Sequence, residues 1–177
     1  AERSVRERIR RELGERGVLF AGHGGLSDVR LGYFARPENL RWEGRTIGDV
    51  MAETGRDAVD TLCDLLLAED LRLNEVTPGP WSESLPHFIR HPVGLVGTDS
   101  TFVGAKPSPR TYGSFPRILG RYVRDEALLG LEEAVRKMTG AAAARLGLAD
   151  RGVIRDGAAA DVVVFDPANI RDNATYE

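Results

Sequence analysis

HPVGLVGTDSTFVG, residues 91–104, carries a run of small apolar residues, Val93 to Gly97, into Thr98-Asp99-Ser100. The run predicts a buried strand that delivers a carboxylate at its carboxyl end. Two readings of Asp99 follow. It is a strand-end turn or helix-capping residue, or it is a catalytic group at the carboxyl end of a barrel strand, where barrel enzymes build their sites.

The flanking segments set the context. Residues 3–16 predict a charged amphipathic helix with Val5, Ile9 and Leu13 at every fourth position, stopped by Gly17. VLFAG, 18–22, predicts a short buried strand. Residues 23–45 read as a long irregular loop, and loops of that length are more often functional than idle. Thr46 is expected to cap a helix that ends at Gly55, and Asp57 to cap the next, with Val59, Leu62, Cys63, Leu66 and Leu67 as its apolar stripe. LRLNEVTP, 71–78, predicts a strand, and SESLPHFIRHP, 82–92, a short helix. After 91–104 come a loop rich in Gly, Pro and Ser, a helix in FPRILGRYVRDEAL, a second in LEEAVRKMTG with a solvated charged face, and a third in AAAARLGL. GVIRDGAAADVVVFDP, 152–167, predicts β structure closed by Asp166-Pro167. Helices and strands that alternate in this way favour a parallel α/β fold, and the last β segment suggests a second sheet.

Composition narrows the classes. The chain has 177 residues, 42% hydrophobic and 29% charged, so it can build a core. A net charge of -3 argues against nucleic acid as a partner. Cys63 is the single cysteine, which excludes a disulfide framework and suits a reducing, cytoplasmic setting. No apolar run approaches the roughly 18 residues that span a bilayer, so no membrane is expected. The polar N-terminus, AERSVRERIRREL, does not read as a signal peptide.

Two stretches carry a family resemblance. They are GTDS with KPSPRTYGSFPRILGRYVRDE (97–126) and LEEAVRKMTGAAAARLGLADRGVIRDGAAADVVVFDP (131–167); ARPENLRWEGRTIGDVMAETGRDAVDTLCDLLL (35–67) agrees with them. Together they resemble the carboxyl-terminal part of an amidohydrolase of the N-acyl-D-amino-acid deacylase (D-aminoacylase) group. The resemblance implies an α/β fold: the C-terminal part of a (β/α)8, TIM-like, metal-dependent hydrolase barrel over 1–148, with a loop insertion at 23–45. Residues 149–177 would be a return segment of a small β-sandwich. LRLNEVTP and VGLVGTD would be the seventh and eighth barrel strands.

The same resemblance implies roles. Asp99 would be the catalytic base and a metal-centre residue, taking a proton from water and passing it to the leaving amine. Zinc is implied for the complete enzyme; its other ligands would lie upstream, and tight binding to this chain alone is not expected. Arg110 has two readings: a guanidinium for the carboxylate of an N-acyl amino acid, or a loop-holding arginine. Ser100 and Tyr112 are further substrate-side candidates, Tyr112 also reading as a packing residue, and Lys106 reads as solvated. Many relatives carry His where Ser108 stands. His23 does not match the family's metal histidines. His87 and His91 have i, i+4 spacing but lack the intervening glutamate of HExxH, and read as a surface helix and its cap.

No HxH pair occurs, and about 250 residues make a (β/α)8 barrel. The chain therefore reads as a portion whose partners are the missing N-terminal barrel part and a small N-acyl amino acid. Exposed sheet edges also admit a homo-oligomer. Two other functions are held open: a cyclic amidase of the dihydropyrimidinase or hydantoinase kind, whose neutral ring has no use for Arg110, and a non-catalytic remnant that binds a partner chain.

Overall fold

The computed structural model describes residues 2–16, 25–77 and 83–176. The expected strand at 18–22, Gly17 and His23 lie outside the described residues. The chain forms two compact units: Ala1–Pro80 with Thr101–Ser108 and Tyr176–Glu177, and Trp81–Ser100 with Pro109–Thr175.

In the first unit, helices α1 (Glu2–Arg16), α2 (Ile47–Thr54) and α3 (Ala58–Ala68) accompany strands β1 (Arg30–Phe34) and β2 (Leu73–Val76). The caps form as expected. Thr46 Oγ1 accepts from the Asp49 N–H while Asp49 Oδ2 accepts from the Thr46 N–H, a capping box. Gly55 closes α2 at φ 71°, a left-handed conformation that a side chain would strain. Asp57 accepts from the Asp60 N–H at the start of α3.

The described part of the 23–45 excursion, residues 25–45, is not irregular. It contains β1 and two 3₁₀ turns, Leu26–Asp28 and Pro37–Trp42. β1 pairs with β2 antiparallel, with a bulge between Leu31 and Tyr33, so LRLNEVTP is a strand but not one of a parallel barrel pair in this unit. The physical cause is burial. Val29, Leu31 and Phe34 pack with Trp42, Ile47, Val50 and Leu65 in one core, and backbone bonds such as Gly44 N–H to Leu31 O (2.6 Å) lace the excursion to it.

Two helix faces differ from expectation. Val5 is exposed, whereas the Arg6 side chain is only 14% exposed. α1 docks on α3 through ion pairs: Arg6 with Asp60 (3.0 Å) and Asp64 (2.7 Å), Arg10 with Asp57 (2.7 Å) and Asp60 (2.6 Å). On α3, Leu65 enters the core and Leu67 faces solvent. Acidic residues at 57, 60 and 64 make the α1-facing side of α3 polar, which explains why guanidiniums occupy it.

In the second unit, α4 (Leu85–Arg90), α5 (Arg110–Arg117), a π-helical segment (Ile118–Asp125), α6 (Leu131–Met138) and α7 (Gly140–Arg145) surround Ile89, Ile118, Leu119, Tyr122 and Ala134. The helix expected from 115 begins five residues earlier, at Arg110, directly after Pro109. Pro116 lacks the N–H of a regular helical bond, and the run after it adopts the wider register.

VGLVGTD forms no strand. Residues 94–100 carry no regular structure and no ladder partners, Val93 and Leu95 are exposed, and only Val96 packs against the core. A parallel strand needs neighbours for its backbone groups, and the described residues of this unit contain no strand to pair with it. The same holds for 152–167: no strand forms, and Val164 is 92% exposed. Phe165 and Ile170 do pack on the helical core. The charges of α6 are not all solvated either. Lys137 is 1% exposed and donates to the carbonyls of His91 and Gly94 (2.9 Å to the latter).

Candidate functional site

Asp99 lies near the end of the irregular segment that leaves the His91–Gly94 turn. The buried Lys137 ammonium holds that turn by its two carbonyls, five residues before Asp99. Asp99 itself adopts φ 50°, a left-handed conformation uncommon outside glycine, although Asp tolerates it better than most. Its side chain is 92% exposed, and its carboxylate meets Arg110 Nη1 at 3.3 Å. Arg110 is the first residue of α5 and half-exposed, so one carboxylate occupies a fork that has several donors to offer.

The structure therefore brings two of the candidates together. Ser100 lies beside Asp99 with a buried Oγ that has no hydrogen-bond partner, and the Oγ1 of Thr111 is in the same state. Tyr112 is exposed rather than packed. Lys106 and Ser108 belong to the first unit. Glu43 accepts there from the N–H groups of Ala105 and Lys106. Sequence reading missed Glu43, because nothing local marks a carboxylate that receives backbone donors 62 residues away. Trp42, beside it, is buried in the first core beneath the guanidiniums of Arg41 (4.3 Å) and Arg45 (4.8 Å).

His87 and His91 sit on α4 and at its C-cap, both exposed, as the capping reading expects. Among the described residues, no group of three or more His, Cys, Asp or Glu side chains is arranged to hold a metal ion. Asp99 has an arginine as its partner rather than further ligands, so the described residues do not make up a zinc site. Among the described residues, no helix is long and apolar enough to cross a membrane.

This chain of mixed helices and strands, with an aspartate and an arginine paired after an apolar segment, belongs to the amidohydrolase family, whose pattern it matches over residues 20–176. Among curated relatives, it is 40% identical over 134 residues to a D-aminoacylase of Alcaligenes xylosoxydans xylosoxydans, covering 76% of this chain and 27% of that one. It is 41% identical over 138 residues to an N-acyl-D-glutamate deacylase of the same organism, covering 76% and 26%. Among solved structures, it resembles the N-acyl-D-glutamate deacylase of Bordetella bronchiseptica complexed with zinc and a phosphonate inhibitor. That match has a TM-score of 0.76 and 36% identity, over 86% of this chain and 31% of the other. A D-aminoacylase structure matches with a TM-score of 0.74 and 33% identity, over 90% and 31%. The chain thus spans about a quarter to a third of the length of these relatives.

Proposed function

We propose that this chain is part of an N-acyl-D-amino-acid deacylase, which hydrolyses the amide to a carboxylate and a free D-amino acid. The observation that carries the reading is the Asp99–Arg110 pair. A guanidinium that already holds one carboxylate at 3.3 Å is suited to hold the carboxylate of a substrate in its place. Asp99, released from that pair, is then a base beside the bound substrate. It takes a proton from the attacking water as the water oxygen adds to the acyl carbon. It returns that proton to the nitrogen as the C–N bond breaks. Ser100 and Tyr112 flank these two groups in sequence and are proposed to contact the substrate.

The complete enzyme is proposed to use zinc, which the Bordetella relative contains. The described residues of this chain do not supply a ligand set for it. By the same reading, residues 1–148 belong to a (β/α)8 barrel and 149–177 to a β-sandwich that other parts of the protein complete, in a reducing cytoplasm suited to the free Cys63. The exposed segments 93–95 and 162–164 are the edges such neighbours would cover, or a second copy in a homo-oligomer. A cyclic amidase is not favoured, since the relatives found act, by their names, on N-acyl-D-amino acids.

The test is made on the longest natural polypeptide that carries this sequence, with N-acetyl-D-amino acids as substrates. Asp99→Asn is expected to lower kcat by about 10²–10⁴-fold. Arg110→Ala is expected to raise KM with a smaller effect on kcat. Wild-type turnover in Asp99→Asn would refute the assignment.

A further inference from the structure

The helical run through α5 and the π segment presents Arg117, Arg121 and Arg124 to one cavity of about 330 Å³. The opposite wall is the backbone of 170–174, which brings in Arg171 and Asp172. Gly120 makes this approach possible. A Cβ there would lie 2.6 Å from the Ile170 carbonyl oxygen, and a Cβ at Gly113 would run into the Asp172 carboxylate.

The arginines are only partly used. Arg117 reaches Asp172 at 3.5 Å and makes no shorter polar contact among the described residues. Arg121 spends its Nε on Glu126 at 2.6 Å and lies over the Tyr122 ring at 5.3 Å, and among the described residues neither Nη has a hydrogen-bond partner. Arg124 is engaged by Asp125 and by the Ile170 carbonyl. Among the described residues, no hydrogen bond or ion pair holds the Arg171 guanidinium, which is exposed. Each guanidinium carries about five N–H donors, so all four forks have donors to spare, Arg124 with three engaged the fewest. The four positive charges exceed the three carboxylates of Asp125, Asp172 and Glu126. A bolt that merely fastened 170–174 to the helix would need only the Arg124–Ile170 and Arg117–Asp172 contacts.

From this geometry we propose that the cavity binds a phosphate group, free or borne by a small ester. Forks that converge from two chain segments suit a tetrahedral oxyanion with three accessible oxygens better than a planar carboxylate with two. None of these residues belongs to the proposed hydrolytic pair, so the inference stands or falls without it.

The probe is inorganic phosphate, titrated calorimetrically into the longest natural polypeptide that carries this sequence, at a constant ionic strength of about 0.15 M. Phenyl phosphate and succinate form parallel arms. Saturable one-to-one binding of phosphate with a Kd of about 1 mM or lower is expected. Arg171→Ala should weaken it at least tenfold. That arginine has no partner to lose among the described residues, so the melting temperature without ligand should be unchanged. Arg72→Ala, which removes the same charge from the first unit, should bind as wild type. Tighter binding of phenyl phosphate would assign the site to an ester, and equal binding to free phosphate. Absence of saturation, wild-type affinity in Arg171→Ala, or equal affinity for succinate would overturn the proposal.

Discussion

Replacing Glu69 by alanine should loosen the first unit locally and measurably. Glu69 is fully buried at the end of α3, and its carboxylate receives three donors from the excursion after β1. The N–H groups of Ala35 (2.6 Å) and Arg36 (2.9 Å) meet Oε2, and Asn39 Nδ2 meets Oε1 (2.6 Å). Hydrogen bonds to a charged group contribute roughly 1.5–3 kcal/mol each, and they are not additive. A loss of about 3–5 kcal/mol is therefore the expected scale. Native-state amide exchange of the peptide spanning 30–42 reads this directly, because two of the donors are themselves exchanging amides. A loss of 3 kcal/mol corresponds to roughly 150-fold faster exchange.

The pH dependence has a definite sign. Burial pushes the Glu69 carboxyl up, but the bonds from Asn39, Arg36 and Ala35 outweigh it and hold the group below the usual glutamate range. The stabilisation is therefore fully present above the ordinary value of about 4.3 and lost as pH falls through the lower, folded value. The gap between wild type and Glu69→Ala should be wide at pH 6 and close on strong acidification. Exchange over 30–42 that changes by less than about twofold at pH 6 would refute the assignment of this carboxylate as the tie.

Two other expectations are as direct. α1 meets α3 through guanidiniums beside its half-buried Ile9 and Leu13, so 1 M salt should speed amide exchange in α1 severalfold while leaving α2 unchanged. Asp57 is held below the usual range by the Asp60 N–H and by Arg10, and Asp60 by Arg6, so acidification should release α1 as well. Lys137→Met keeps the buried stem but orphans the His91 and Gly94 carbonyls, and should lower stability in urea by about 1–3 kcal/mol.

What could be read without coordinates was local. Thr46, Asp49, Gly55 and Asp57 announce their helix ends because capping involves residues three or four apart. Candidate residues were legible through the family motifs, but their pairing was not. Its Pro-rich setting puts Arg110 in a loop, whereas it opens α5, and the charges of LEEAVRKM put Lys137 on a solvated face, whereas it is buried. Valines at 93–99 and 152–167 favour β structure, but the described residues of the second unit offer no ladder for them to join.

The sequence by itself determined the helix caps, the apolar runs, the family and the residue types at 99 and 110, because each depends on near neighbours or on motif identity. The tertiary structure decided the antiparallel pairing of β1 with β2, the burial of Glu69 and Lys137, and the meeting of Asp99 with Arg110. These depend on which distant backbone and charged groups remain unsatisfied once the cores form, and that is set by packing rather than by order along the chain.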